Sequence, residues 1–310
     1  LFQGLNRPKD LAFNPEAPDQ LWVVNQGDSS VTIFADVFSA APITRKRNAP
    51  GNTHFLAKPS SLAFGIPGVM ATAHEENQVT QPSTPADFMG PTLWTTNPNI
   101  FDGGHGGHID MLHNSPSAAG IAWEIGNAYW VFDGAHNSLT RYNFNRDHGP
   151  GNVDHSDGVT HRYAAGEVAY RAGVVSHMYV HGGLLYVADT GHNRIATLDI
   201  NSGSMGPPLA PNYDYRVADQ QRAVMGADLL TFIEGEDTER MQAPAGLEIV
   251  DDVMYVTDNA TSTIFAFDMS GELLDWLDVS EVVQPNGLQG IAISEQGDIY
   301  IADSVGQTIL

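Results

Sequence analysis

Short segments in which hydrophobic and polar residues alternate recur along the whole chain, and each begins the same kind of unit. The alternating segment is followed by a Gly or Asx turn and then by a run rich in β-branched and aromatic residues, as in residues 177–195. Alternation with a period of two, interrupted by turn residues, predicts short antiparallel strands. Six such units begin at these positions: Leu11, Leu62, Ile121, Met178, Leu247 and Ile291.

The spacing inside and between the units predicts how they assemble. In five units an Asx residue is followed six positions later by an aliphatic residue; these Asx residues are Asn25, Asp133, Asp189, Asp258 and Asp303. Successive units start 51, 59, 57, 69 and 44 residues apart, so the bare unit is about 44 residues long. Four-stranded units of that length form β-propellers, in which each unit packs against its neighbours. We therefore predict an all-β fold, a six-bladed β-propeller with long loop insertions in blades 2, 3 and 4.

The last three units resemble a known repeat. The resemblance is to NHL repeats, and it is clearest in residues 186–195 and in residues 244–247 followed by 254–258. It extends over roughly residues 7–310. It implies that the first strand of each blade lines a central channel. We predict one domain over residues 5–310, and residues 1–4 (Leu-Phe-Gln-Gly) match the remnant of an engineered protease site, an expression-tag remnant. The last unit ends in a third strand, so residues before Arg7 are candidates for its outer strand.

Composition narrows the classes of function. The 310 residues include 37 acidic and 14 basic side chains, which gives a formal net charge of -23. Binding to nucleic acid needs clustered Lys and Arg, so we expect no nucleic-acid partner. No run of 18 apolar residues is present, so we expect no membrane span. The absence of cysteine excludes disulfides and thiolate metal sites. The acidic composition favours an extracellular or periplasmic protein.

Histidines in and near a glycine-rich segment, residues 102–113, are candidate metal ligands. We expect this segment to be a loop before the first strand of blade 3. Neutral imidazole is a common ligand of zinc, copper and iron, and glycines allow neighbouring side chains to converge. We predict one transition-metal site (Zn, Cu or Fe) at one mouth of the channel, formed by His108, His113 and His177, with Asp110 or His105 as a further ligand. His177 stands in a column that other blades fill mostly with small residues. The alternative is that these are hydrogen-bonded loop histidines.

Carboxylates suggest a second, separate ion site. Asp147, Asp154 and Asp157 lie in a segment with several glycines, and alternating carboxylate and carbonyl oxygens suit Ca²⁺. The alternative is a polar loop held by Asx turns. The Asp column of the repeats is interpreted as structural, because a catalytic carboxylate is needed once whereas this one recurs in four blades.

Among NHL-like enzymes, the layout most resembles peptidyl-α-hydroxyglycine α-amidating lyases. That resemblance implies a zinc-binding histidine directly after a proline at the start of first strands in three blades. The corresponding column here contains no histidine; its members are Lys9, Ser60, Ala119, Ser176, Ala245 and Gln289. The ligand set and activity of the lyases are therefore not carried over.

Two functional hypotheses remain open. The first is a metal-binding propeller whose open metal site acts on a small molecule or peptide at the channel mouth, as a Lewis acid or by activating water. The second is a non-catalytic binding scaffold with only structural Ca²⁺. The fold alone does not choose between them, because function depends on the site.

Overall fold

The chain forms a closed ring of β-sheets. The computed structural model describes residues 2–48, 55–77, 90–97, 107–214, 220–238 and 240–310. These residues form six sheets, and in each sheet the inner strands are consecutive in the chain and pair antiparallel. The first strands of neighbouring sheets contact one another around the ring, and the last sheet contacts the first. The predicted six-bladed β-propeller is therefore confirmed.

The strands of each blade follow one another in chain order, from the axis outward. Blade 1 contains β1 (Pro8–Asn14), β2 (Ala17–Asn25), β3 (Ser30–Ala35) and β4 (Ile43–Asn48). Blade 2 contains β5 (Pro59–Phe64), β6 (Val69–His74), β7 (Thr92–Thr95) and β8 (His108–Met111). Blade 3 begins with β9 (Ala118–Ile125), β10 (Ala128–Asp133), β11 (Ser138–Asn143) and β12 (Val159–Tyr163).

The second half of the ring repeats this order. Blade 4 contains β13 (Met178–His181), β14 (Leu184–Asp189), β15 (Arg194–Asp199) and, after an insertion, β18 (Leu229–Glu234). Blade 5 contains β19 (Pro244–Val250), β20 (Val253–Asp258), β21 (Thr263–Asp268) and β22 (Leu273–Asp278). Blade 6 contains β23 (Leu288–Ile293), β24 (Ile299–Asp303) and β25 (Thr308–Ile309). Short 3₁₀ helices span Thr190–His192 and Gly235–Thr238. No helix in the described part of the chain is long and apolar enough to span a membrane.

The insertion of blade 4 enlarges blade 3. Its two strands, β16 (Ser204–Pro208) and β17 (Gln221–Met225), form a hairpin, and β17 pairs in parallel with β12. Blade 3 is consequently a six-stranded sheet. Blade 6 has three strands in the described residues, and residues 2–6 do not supply a fourth. Phe2 instead packs edge-on against Phe34 of blade 1, with ring centroids 4.8 Å apart.

Close approach of the inner strands explains the small residues near the axis. A Cβ atom on Gly120 would overlap the carbonyl oxygen of Ser176, and one on Gly246 would overlap the backbone of Gln289. Side chains other than the smallest therefore fit this column only where a specific contact accommodates them. His177, which occupies the same column in blade 4, is such an exception.

The repeated Asp residues hold loops to the ends of strands. Asp258 accepts hydrogen bonds from the backbone amides of Gln242 (2.7 Å) and Ala243 (2.6 Å). Asp303 accepts one from the amide of Gln284 at 2.8 Å. A carboxylate that accepts hydrogen bonds from turn amides has the same use in each blade that carries it, which agrees with the structural interpretation of this column.

Candidate functional site

The histidines predicted to share one metal site lie in different surroundings. His108 is the first residue of β8, the outer strand of blade 2, and His113 lies in the loop that follows it. His177 directly precedes β13 at the axis of the ring. His105 lies outside the described residues. The expectation that His108 occupies a loop before the first strand of blade 3 is corrected, because residues 108–111 pair with β7.

The contacts of His177 are those of a buried cation. Its Nδ1 donates to the carbonyl oxygen of Leu247 at 2.8 Å, and its Nε2 lies 3.2 Å from Oδ2 of Asp10. Burial opposes the charge, but the nearby carboxylates of Asp10 and Glu248 raise the pKa of His177 to about 9. An imidazolium has no lone pair for a metal. Both ring nitrogens of His177 thus have protein partners, and its role as a metal ligand stays a prediction.

The Asp10 carboxylate connects His177 to other blades. It is fully buried, and its oxygens accept hydrogen bonds from the amides of Leu11 (2.9 Å) and Leu62 (3.1 Å). Together with the bond from His177 to Leu247, this network links the inner strands of blades 1, 2, 4 and 5. The ion pair with Asp10 at the axis thus explains why blade 4 has the bulky His177 where other blades have mostly small residues.

A different group of side chains meets at the outer edge of blade 2. The β11–β12 loop of blade 3 runs along β8, and the amide of His148 donates to the carbonyl oxygen of Ile109 at 2.9 Å. This pairing brings His148 and His155 to Asp110, and one ligand atom of each lies within 4.8 Å of the others. We call these three residues the Asp110 cluster. His108 adjoins it, with its ring centroid 5.1 Å from that of His148.

Two acceptor atoms of the Asp110 cluster have no hydrogen-bond partner among the described residues. Nδ1 of His148 donates to the carbonyl oxygen of Gly149 at 2.6 Å, so the lone pair of the neutral ring is on Nε2. Oδ1 of Asp110 accepts from the Met111 amide (2.7 Å) and is hydrogen-bonded to Nδ1 of His155 (2.8 Å). Nε2 of His148 and Oδ2 of Asp110 are buried and have no hydrogen-bond partner among the described residues. Buried acceptors without partners are costly, and a bound cation would satisfy both.

The electrostatics of Asp110 reflect its burial. The side chain is 1% exposed, and burial raises its pKa to about 8. The amide of Met111 and the nearby His148 oppose this rise, whereas the carboxylates of Asp157 and Asp147 add to it. A divalent cation at Oδ2 would favour the ionised carboxylate, because a bound ion is the largest local charge in such a site.

The remaining predicted ligands have other neighbours. Nδ1 of the buried His113 lies 3.9 Å from Oδ2 of Asp214, in the insertion of blade 4. Asp147 accepts the amide of Gly149 at 3.0 Å, and Asp154 accepts the amide of Ser156 at 3.1 Å. Asp157 likewise accepts the amide of Arg146 at 3.2 Å. Each carboxylate predicted for Ca²⁺ thus accepts a hydrogen bond from a backbone amide of its own loop.

His148 and His155 are not among the predicted ligands, although both lie in the segment predicted to bind Ca²⁺. Their contact with residues 108–111 was not predicted, because a loop was expected there and not a strand. The available signal was the alternation in residues 108–111, in which His108 and Asp110 fall on one face of a short strand.

Comparisons with known proteins identify the fold. No protein-family model matches the chain, and no curated protein matches it. An auxiliary nutrient binding protein from Bacteroides thetaiotaomicron is 13% identical, with a TM-score of 0.64, over 99% of this chain and 68% of that one. One from Bacteroides ovatus is 14% identical, with a TM-score of 0.63, over 98% and 68%. A catalytically inactive virginiamycin B lyase from Staphylococcus aureus, solved with quinupristin, is 12% identical, with a TM-score of 0.52, over 100% and 82%. At these identities the similarity shows a shared fold.

Proposed function

We propose that this protein is a metal-binding, NHL-type β-propeller that holds one divalent transition-metal ion in the Asp110 cluster. The observation that carries the proposal is the pair of buried acceptors without partners, Oδ2 of Asp110 and Nε2 of His148, beside the ring of His155. Two imidazoles and one carboxylate are a donor set that suits zinc and iron. The hydrogen bond from His148 to Gly149 supports the proposal, because metal-bound imidazoles almost always donate their other ring N–H.

The proposed ion has two consequences for function. It ties the β11–β12 loop of blade 3 to β8 of blade 2, beyond the backbone bonds that already join them. Three protein ligands also leave a fourth position in a tetrahedral site, where water or a substrate group could bind. A metalloenzyme acting on a small molecule or peptide and a scaffold with a structural ion are both compatible with this ligand set.

An extracellular or periplasmic location is part of the same proposal. The net charge of -23 and the absence of cysteine motivate it. The names of the two similar Bacteroides proteins, which are auxiliary nutrient binding proteins, are in keeping with it.

The test is metal titration of the full chain, purified without a histidine tag and stripped with a chelator. We expect one Zn²⁺ to bind per chain. Replacing His148 with Ala should weaken binding more than about 100-fold, because even groups that only orient a ligand change metal affinity by roughly 10–100-fold. His181→Ala is the matched control, since that histidine is partly exposed and forms its ion pair with the exposed Asp252.

Several results would contradict the proposal. One is that stripped protein fails to bind Zn²⁺, Fe²⁺ or Cu²⁺. Another is that His148→Ala binds zinc as tightly as wild type. Binding of Ca²⁺ alone, lost on Asp154→Asn, would instead support the scaffold with a structural calcium ion.

A further inference from the structure

A cavity lies at the axis of the ring, lined by residues from the inner strands of all six blades, and we call it the funnel. Its volume is ≈ 430 Å³, and its wall is formed by the inner strands and includes the side chains of Phe13, Phe64 and Trp123. Pro15 and Gly65, in loops that follow the first strands of blades 1 and 2, also line it. Trp123 is 39% exposed, so the wall is reached by solvent. A largely apolar cavity of this size with few polar groups is typical of a small-molecule site.

The funnel breaks the repeat pattern at two adjacent positions. In four blades the residue that lines it from the middle of the inner strand is alanine: Ala12, Ala63, Ala122 and Ala292. Blades 4 and 5 have Tyr179 and Glu248 instead. Their strands, β13 and β19, contact each other, so both large side chains lie on one side of the funnel. The fold itself requires only a small residue here, so these two positions point to a ligand.

Glu248 is the carboxyl group of the funnel that is available to a ligand. No described residue donates a hydrogen bond to it or forms an ion pair with it, and it is half-buried. Glu124, the other acidic residue of the wall, is bound by Arg141 at 2.6 and 2.8 Å and by the indole N–H of Trp130 at 2.7 Å. The two N–H groups of His177 are directed at Leu247 and Asp10.

We propose that the funnel binds a small organic cation, a molecule that carries an ammonium group on an apolar body, and that the ammonium pairs with Glu248. An anionic ligand would meet this carboxylate, while the N–H groups of His177 are already used. The apolar body would pack on Phe13, Phe64 and Trp123, and aromatic rings add attraction for a cation. The net charge of -23 also draws cations to the surface.

The charge of Glu248 makes the proposed binding depend on pH. Burial raises the pKa of Glu248 to about 7; the cation of His177 opposes this rise and Asp10 adds to it. The pKa of His177 is about 9 and that of Tyr179 lies above its ordinary value, so neither changes charge near neutrality. The ammonium needs the ionised form of Glu248. Affinity should therefore increase as the pH is raised from about 6 to about 8.

The test is calorimetric titration with three probes of similar size: 2-phenylethylamine, 2-phenylethanol and 3-phenylpropionate. Chelator-treated protein is used, so that the result is independent of the proposed metal site. At about pH 8 we expect the amine to bind about tenfold more tightly than the alcohol and the carboxylate not to bind. Glu248→Gln, which keeps the shape and removes the charge, should weaken amine binding about tenfold and abolish its pH dependence. Glu281→Gln is the control, because that residue is exposed in the loop between blades 5 and 6.

Quenching of the partly exposed Trp123 gives a second readout of the same binding. The proposal is overturned if the alcohol or the carboxylate binds as tightly as the amine. It is also overturned if Glu248→Gln leaves amine affinity unchanged while the variant unfolds like wild type. Absence of saturable amine binding at concentrations up to about 10 mM overturns it as well.

Discussion

Removing the charge of Asp10 while keeping its shape, with Asp10→Asn, should destabilise the propeller strongly at acidic pH and less at alkaline pH. The wild-type carboxylate lies 3.2 Å from Nε2 of His177 and is fully buried. At that separation and an effective dielectric constant of about 20, the attraction between unit charges is about 5 kcal/mol. The rise in the pKa of His177 from 6.5 to about 9 corresponds to about 3 kcal/mol. We therefore expect a loss of about 3–5 kcal/mol at pH 6.

The pH dependence distinguishes this ion pair from simple packing. Above a pH of about 9 the imidazole of wild type is neutral, so the variant should lose about 2–3 kcal/mol less there. Urea unfolding followed by tryptophan fluorescence at about pH 6 and pH 9.5 measures both losses. Asp252→Asn is the matched control, because it removes a His–Asp contact of 3.3 Å at the surface and should change little. A loss below about 1 kcal/mol at pH 6, or equal losses at the two pH values, would show that Asp10 and His177 do not form a stabilising ion pair.

Three further predictions concern pH, metal and packing. The pKa of His177 is higher in the folded than in the unfolded protein, so its contribution to stability is complete below pH 6.5 and disappears as the pH rises through about 9. His177→Gln should remove this pH dependence from the free energy of unfolding measured in urea. Zinc at 100 times its dissociation constant should raise the free energy of unfolding by about 2.7 kcal/mol in wild type and in His181→Ala but not in His148→Ala, and equal shifts in all three would contradict this. Gly120→Ala should lower the free energy of unfolding by about 3 kcal/mol or more, because its Cβ would overlap the backbone of blade 4. Gly182→Ala has open space but a positive φ of 59°, so it should lower that free energy by about 1 kcal/mol. Similar melting curves for the two variants would count against the packing argument.

The fold was predictable from sequence because each blade repeats the same pattern of alternating hydrophobic residues and turn residues. The Asx residues and the aliphatic residues six positions later recur with little change, and each needs only neighbours in its own unit or in the next. The residues near the axis were predictable for the same reason, since any departure from the repeat, such as His177, is visible in the alignment of the units.

The candidate site was harder to predict because it arises from contact between the outer strand of one blade and a loop of the next. Asp110 comes from the short outer strand of blade 2, whereas His148 and His155 come from a loop of blade 3 that lies about 40 residues later in the chain. Nothing in the repeat pattern fixes how that loop pairs with β8. The role of His177 also depends on partners, Asp10 and Leu247, that belong to distant blades. The alignment of the units shows where a side chain is unusual. Its protonation state depends on the residues that it contacts in the fold, which the alignment does not show.

The most direct test of the proposed metal site is anomalous diffraction at the zinc edge from crystals of zinc-loaded protein. We expect one strong anomalous peak, about 2.0–2.2 Å from Oδ2 of Asp110, from Nε2 of His148 and from a ring nitrogen of His155. A peak between His113 and Asp214, or no ordered zinc in a crystal of fully loaded protein, would rule out the proposed site.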